Sequence, residues 1–163
     1  MNDFSENKVE FPDFFKHEYG LSYADEIATL NYGYALLAIA GADGKVTPPE
    51  MNWLINHQRS LNVPEEIIEA YKTFDYKNAK LEDLIIDINK ADISFNVGRS
   101  LVYHGIKMCK ADLDFAYYEQ MAVKKAATLL GVPDDIFLAI ERLVDMEEAV
   151  HGIRKALLET DKL

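Results

Sequence analysis

The feature that most constrains this chain is a segment that occurs twice without a gap. Residues 42–50 read ADGKVTPPE, and residues 111–119, 69 positions later, read ADLDFAYYE. The same offset aligns LNVPEEI with LGVPDDI at 130–136. Nine of the 37 aligned positions between 34–70 and 103–139 are identical. An unbroken register over this length predicts one supersecondary unit that is used twice.

Helix-start signals and helical spacing of apolar residues cover nearly the whole chain, and no segment shows sustained strand alternation. Ser22 with Asp25, and Thr47 with Glu50, have the spacing of a capping box, in which two side chains satisfy backbone N–H groups at a helix start. The prolines directly after Thr47 strengthen the second signal, because proline is tolerated at the first helical position. A further acidic signal at 145–148 predicts a separate last helix.

These patterns predict an all-α, single-domain bundle of seven or eight helices, built from two three-helix repeats. The repeats are expected at about 22–75 and 96–145, joined by a linker helix at 79–95. Residues 1–21 are predicted to form an N-terminal arm that packs on the helical domain of residues 22–163. The reason is that four aromatic side chains fall within nine positions of the arm, and their exposure would invite association.

The formal net charge of −11 narrows the classes of partner. It repels nucleic acids and free oxyanions, whereas it attracts metal cations and basic proteins. The one cysteine, Cys109, excludes an internal disulfide and a site built on several thiolates, and its helical apolar context predicts a buried, inert thiol. The start of the chain lacks a signal-peptide pattern, and no apolar run reaches the roughly 18 residues of a membrane span. We therefore expect a cytoplasmic protein without a membrane span.

The acids of the repeated turn have part of a calcium-binding pattern. The second half of an EF-hand loop consists of an acid, a glycine and a glutamate, and Asp43, Gly44 and Glu50 have the required spacing. The ligand positions of the first half are occupied by Ile39 and Gly41, which offer no side-chain oxygen. A standard EF-hand is therefore rejected.

A cation site shared by the two copies is still compatible with the sequence. If the two helical hairpins pack about a pseudo-twofold axis, the acids of both turns come close together, and clustered carboxylates need a cation. The alternative is that the acids only stabilise helix ends, as the capping box explains for Glu50. In the second copy Ala116 replaces the capping threonine, yet the glutamate is retained, which favours a role beyond capping. The candidate metal ligands are Asp43, Glu50, Asp112 and Glu119.

A helix that ends in Ala-Asp-Gly, then a short loop with an aliphatic residue, then Glu50 in the first turn of the next helix resembles the TerB-like tellurite-resistance family. The LGVPDD segment at 130–135 resembles the part of that family that follows its second helix. The resemblance covers about residues 22–145. It implies an all-helical fold, acidic residues proposed to bind divalent metal, and a link to tellurium-compound resistance and general stress. Leu113 departs from the glycine of the family pattern, so the resemblance does not specify the shape of the second loop.

These observations predict a cytoplasmic, stress-associated module that binds a divalent cation or a protein partner through its acidic turns. The resemblance implies no enzymatic reaction, and the sequence does not specify the metal, the partner or the oligomeric state. Two alternatives stay open. One is a purely structural protein-interaction scaffold without metal, whose partner occupies an apolar groove between the repeats. The other is a metal-assisted hydrolase, which has carboxylates in its favour but no identifiable general base.

The remaining aromatic and histidine residues are predicted to be structural. Trp53 and the pair Tyr117–Tyr118 are expected to pack in the core or between helices. His57 lies four residues after Trp53 and is expected on the same helix face, and a neutral state is expected for each histidine.

Overall fold

The structure is a computed structural model that describes residues 7–159. Within these residues the chain forms eight α-helices and one small antiparallel sheet, which confirms the predicted all-α class and the number of helices. The strands are β1 (Lys8–Glu10) and β2 (Tyr23–Asp25), and the helices are α1 (Asp13–Tyr19), α2 (Glu26–Ala40), α3 (Pro48–Ser60), α4 (Glu65–Thr73), α5 (Leu81–Asn89), α6 (Val97–Cys109), α7 (Tyr117–Leu129) and α8 (Asp134–Leu158).

The repeat of the sequence is also a repeat of the structure. Helices α2 and α6 both end in a single turn of 3₁₀-helix, which we call the first acidic turn (Gly41–Asp43) and the second acidic turn (Lys110–Asp112). Helices α3 and α7 follow, each with 13 residues, and both end before a residue with left-handed backbone conformation, Asn62 or Gly131. Because caps and turns are local, the same residue types at the same spacing produce the same boundaries in both copies.

The core is built around α2, which is buried along most of its length. Residues Ala35–Leu37, Ile39 and Ala40 are fully buried, and α2 contacts α4, α5, α6 and α7. A helix that is apolar on all sides has to lie in the centre of a bundle. Close approach is needed at Gly33, where an added Cβ would meet the ring of the buried Tyr71 at 2.2 Å. The central helix therefore sets the position of the first acidic turn at its C-terminal end.

The predicted helix start at Ser22 is wrong. The backbone N–H groups of Ser22 and Tyr23 both donate to Ser94 Oγ, at 3.0 and 2.9 Å, and β2 pairs with β1. Helix α2 begins only at Glu26, with Asp25 in the N-cap position. Hydrogen bonds to a residue about 70 positions away keep this segment extended, and a local capping signal cannot report them.

The predicted separate last helix is also wrong, because α8 continues without a break through 145–148. The acids of this segment have another role: Asp145 and Glu148 form ion pairs with Lys110 at 2.8 and 2.7 Å. Their spacing suits a helix start, but it also suits two neighbouring side chains on one face of a continuous helix.

The N-terminal residues contribute to the core from outside the repeats. Val9, Phe11 and Leu21 are buried, whereas Phe14 is exposed. Residues 1–6 of the predicted arm lie outside the described residues, and the division of the chain into an arm and a helical domain stays a prediction. Among residues 7–159, no helix combines the length and the apolar character needed to cross a bilayer.

Candidate functional site

The two acidic turns cross over, so that each turn packs against the helix that follows the other. Cα atoms of the first acidic turn lie within 8 Å of α7, and those of the second lie within 8 Å of α3. As a result, the charge of Asp112 acts on Glu50 in α3, and the charge of Asp43 acts on Glu119 in α7. The structure therefore brings together all four acids that the sequence singles out.

The two aspartates hold their turns in the same way. Asp43 Oδ1 accepts the Lys45 N–H at 3.1 Å, and Asp112 Oδ1 accepts the Asp114 N–H at 3.0 Å. In both copies the residue after the turn has a left-handed backbone, with φ of 110° at Gly44 and 69° at Leu113. The leucine thus adopts the conformation that glycine prefers, and the second loop keeps the shape of the first.

The two glutamates are buried and cap their own helices. Glu50 Oε2 accepts the Thr47 N–H at 2.6 Å, and Glu119 Oε2 accepts the Ala116 N–H at 2.7 Å. The predicted capping box of Thr47 and Glu50 is present, although the contact of Thr47 Oγ1 within the described residues does not have the geometry of a full hydrogen bond. The argument that Glu119 lacks a local role is wrong, because its bond requires only a backbone N–H, which alanine supplies as well as threonine does.

The remaining oxygens of these glutamates create the unusual chemistry of the site. Glu50 and Glu119 are only 1% and 2% exposed, and their carboxyl groups lie within hydrogen-bonding reach of each other. Glu50 Oε1 is buried and accepts no hydrogen bond of normal geometry among the described residues, although the Thr47 hydroxyl is near enough to lower the pKa of Glu50, which burial raises. Two buried carboxylates cannot both be ionised at this separation without a counter-charge, so they share a proton in the cation-free protein.

Burial and neighbouring negative charge favour the protonated form of these carboxyl groups. Burial, the neighbouring Glu50 and the charge of Asp43 together raise the pKa of Glu119 to about 8, against the lowering effect of the Ala116 N–H. Burial also raises the pKa of Glu50. Cys109 is buried beside all four acids, and burial together with their charges raises the pKa of its thiol. The thiol is inert, as predicted from its sequence context.

The whole arrangement of helices matches a known structure. The crystal structure of a tellurite resistance protein from Nostoc punctiforme superposes with a TM-score of 0.74, at 25% sequence identity, over 91% of this chain and 92% of that one. The predicted resemblance to the TerB-like tellurite-resistance family is confirmed. No protein-family model matches the sequence. A search of curated proteins gives no match either.

In this TerB-like chain, the donor chemistry of the four acids fits a hard divalent cation. Each carboxylate uses one oxygen for a backbone N–H, which leaves one oxygen for a ligand, and cations such as Ca²⁺ and Mg²⁺ prefer oxygen. Among residues 7–159, no group of three His, Cys, Asp or Glu side chains already has an arrangement that would hold a metal ion. Binding at these four residues therefore requires their side chains to rotate.

The core also contains a second cluster of polar side chains, of which the sequence predicted only the Trp53–His57 contact. The Trp53 and His57 rings stack at 4.9 Å between centroids, as their spacing predicts. His104 lies 4.3 Å from the His57 ring, and its Nδ1 is 2.7 Å from the hydroxyl of Tyr32. Burial lowers the pKa of both histidines, that of His57 to about 4, so both are neutral at pH 7. The contact between α3 and α6 is tertiary, and no local signal could have revealed it.

The predicted packing of Tyr117 and Tyr118 is wrong. Both side chains are more than half exposed, and so are Leu113 and Met121 nearby. We call these four residues the second-turn patch. They occupy the outer side of the second acidic turn, where the first copy has glycine, two prolines and an asparagine. The exposure of Tyr117 and Tyr118 could have been predicted from their place in the first turn of α7, on the side opposite to the buried Glu119.

Leu113→Gly should raise the stability of the protein by about 1 kcal/mol, because a left-handed leucine is strained and its side chain is 97% exposed, so little packing is lost. The melting temperature should rise by roughly 2–4 °C. Gly44→Leu is the matched control in the first copy and should lower it. An unchanged or lower melting temperature for Leu113→Gly would contradict the described loop.

Glu119→Gln should remove a pH dependence of stability. With a pKa raised to about 8 in the folded state, Glu119 stabilises the fold fully below its unfolded pKa, and this contribution is lost as pH rises through 8. The free energy of unfolding of the wild type should therefore fall between pH 6.5 and 8.5, and that of the variant should fall less. At pH 8.5 the variant should be more stable by roughly 2 kcal/mol, because the amide can donate to Glu50 Oε1.

Urea unfolding with a chelator present measures this difference. The buried histidines, which titrate near pH 6.5 only in the unfolded chain, are the same in both proteins, so their contribution cancels in the comparison. Glu66→Gln, at an exposed position in the first turn of α4, removes the same charge and should keep the slope of the wild type. Equal slopes for the wild type and Glu119→Gln would show that the carboxyl pair does not hold a proton.

Proposed function

We propose that this protein binds a divalent metal cation between its two acidic turns, and that it acts in tellurium resistance or a related stress response. The observation that carries the proposal is Glu50 Oε1, which is buried, accepts no hydrogen bond of normal geometry among the described residues and lies beside the carboxyl group of Glu119. An acceptor atom in this situation costs free energy unless a proton or a cation compensates for it.

The chain supplies two kinds of ligand in this proposal. Glu50 and Glu119 are the inner ligands, already desolvated and held by the backbone N–H groups that they cap. Asp43 and Asp112 lie at the solvent side and complete the oxygen set from the two turns. A bound cation would supply positive charge, so that both buried carboxyls can ionise and hold the two repeats together. Since calcium and magnesium keep several ligands from water, four protein oxygens are sufficient.

The biological part of the proposal is supported by the structural neighbour. That protein is described as a tellurite resistance protein, and its fold is shared over nearly the whole of both chains. The net charge of −11 disfavours direct binding of tellurite, which is an oxyanion, so we propose that the chain acts through a cation or a protein partner. Its cytoplasmic location stays a prediction, and so does the hydrolase alternative.

Isothermal titration of the metal-free protein with Ca²⁺, Mg²⁺, Mn²⁺ and Zn²⁺ tests the cation site. We expect saturable binding at one site for at least one of these ions, with release of about one proton because the ligands must be ionised. Titration in two buffers with different ionisation enthalpies measures that proton. Glu119→Gln should abolish binding, and Asp43→Asn with Asp112→Asn should weaken it by more than tenfold.

The exposed Glu66→Gln variant serves as the charge control and should bind like the wild type. Absence of heat together with an unchanged melting temperature at millimolar concentrations of all four ions would refute the cation site. Binding that survives in Glu119→Gln would place the site elsewhere.

A protein-interaction role is the second candidate, and the second-turn patch favours it. Four large apolar side chains that lie together on the surface are typical of a surface that binds a partner. Under this hypothesis the acids only shape the turn, and the partner contacts Tyr117 and Tyr118. This places the partner on the surface of the second copy, whereas the sequence predicted a groove between the repeats.

Growth in the presence of tellurite distinguishes the two candidates. Cells that depend on this protein for tolerance would express the wild type, Tyr117→Ser with Tyr118→Ser, or Asp43→Asn with Asp112→Asn. Loss of tolerance in the tyrosine variant, with its metal affinity intact, favours the scaffold. Loss in the aspartate variant alone favours the cation site.

A further inference from the structure

Helix α8 is longer than the bundle that it packs on. Its N-terminal half buries Phe137, Ile140 and Val144 against the other helices. From 148 to 158 every residue is exposed, although the helix continues. These last three turns span about 16 Å at 1.5 Å per residue. Packing on the rest of the described chain therefore does not account for the C-terminal half of α8.

A second apolar stripe with a strict pattern runs from the middle of α8 into this exposed half. Leu143, Met146, Val150, Ile153 and Leu157 are spaced by three, four, three and four residues, and their side chains are 46% to 74% exposed. We call these five residues the α8 seam. This alternating spacing is the a/d pattern of a heptad repeat, which forms when one helix packs along another. It lies on a different side of α8 from the residues that face the bundle.

Ion pairs fix the direction of α8 at the point where the helix leaves the bundle. Lys107 bonds Glu147 at 2.9 Å, and Lys110 bonds both Asp145 and Glu148. The two lysines belong to the end of α6 and to the second acidic turn that follows it, and α6 is buried along most of its length. The seam is therefore presented on a rigid helix in a defined orientation.

Charges beside the seam indicate which partner fits. Glu147 and Arg154 occupy the same flanking heptad position, e, seven residues apart. When two such helices run antiparallel, e positions face each other, so Arg154 of each copy meets Glu147 of the other, whose Oε2 also bonds Lys107 and Tyr103.

In a parallel pair, e faces g, so Glu147 would meet Arg142 and Arg154 would meet the uncharged Ala149. Charge therefore fits a second copy of this helix in either orientation. The net charge of −11 on each chain favours the antiparallel one, in which the two bundles lie at opposite ends of the helix pair.

We propose that the chain forms a homodimer in which the α8 seams of two copies pack antiparallel about a twofold axis. Val150 of one copy lies opposite Ile153 of the other, and each contact occurs twice, as in an isologous interface. Burial of five apolar side chains per copy supplies the attraction, the two Glu147–Arg154 pairs complement it, and repulsion between the acidic bundles sets the orientation. The dimer leaves the acidic turns of both copies outside the helix pair.

The mass of the full chain in solution tests the dimer. Light scattering or sedimentation at about 50 µM should give twice the monomer mass of 18.5 kDa. Ile153→Glu places a charge in the seam and should give the monomer mass. Leu138→Glu is the matched control, since Leu138 is a leucine of α8 that is 56% exposed but lies off the seam, and it should stay dimeric. Circular dichroism should show the same helix content for all three proteins, because both substituted positions are exposed.

A monomeric wild type would overturn the proposal, and so would a dimer that Ile153→Glu leaves intact. If Leu138→Glu dissociates the dimer as well as Ile153→Glu does, the interface lies elsewhere on α8, and the seam is refuted.

Two further variants test the orientation. Arg154→Glu should raise the dimer dissociation constant more than tenfold, because it brings two pairs of like charges together. Lys155→Glu makes the same charge change on the outer face and should alter it less than twofold. In an oxidised mixture of Val150→Cys and Ile153→Cys proteins, the antiparallel dimer should yield cross-links between unlike positions. Predominant 150–150 or 153–153 cross-links would overturn it, and the buried Cys109 does not compete.

Discussion

The chemistry of the acidic turns depends on one contact, that between the buried carboxyl groups of Glu50 and Glu119. Each glutamate uses one oxygen to cap its own helix and directs its carboxyl group toward the other copy. Because neighbouring buried carboxylates need a proton or a cation between them, the geometry that holds a proton in the cation-free fold is also the geometry from which we propose cation binding. The structural role and the proposed binding role are therefore properties of the same two side chains.

The two copies agree inside the bundle and differ at its surface. In the first copy the turn is covered from outside the repeat, since the Val46 N–H donates to the hydroxyl of Tyr76 at 3.1 Å. In the second copy Leu113 is exposed, and Lys110 connects the turn to α8 by two ion pairs. Both copies of the repeated unit thus contribute to the acidic site, whereas the second-turn patch and the α8 seam both lie on the side of the second copy. Changes at those surfaces should leave the buried carboxyl pair intact.

Most of the fold could be predicted because its signals are local. The 69-residue offset, the prolines and the acids at helix starts predict α3, α4, α7 and the beginning of α8, and α3 and α7 position Glu50 and Glu119. The errors fall where distant residues override a local signal. A hydrogen bond to Ser94 keeps the segment around Ser22 extended. Lys110 forms ion pairs with the acids that were interpreted as the start of a new helix. A capping motif describes what a segment prefers and cannot include a partner that the fold brings to it.

The sequence by itself determined the duplicated helical unit, the TerB-like class and the identity of the four acids, because periodicity, caps and residue types are properties of short segments. Only the tertiary structure decided that the turns cross over, that Glu50 and Glu119 face each other without solvent, and that the second half of α8 projects from the bundle. These features depend on which surfaces meet, and burial changes the chemistry of a carboxyl group more than any neighbour along the chain does. A glutamate that looks like a helix cap in the sequence therefore becomes, once packed against its counterpart, a group that holds a proton at neutral pH.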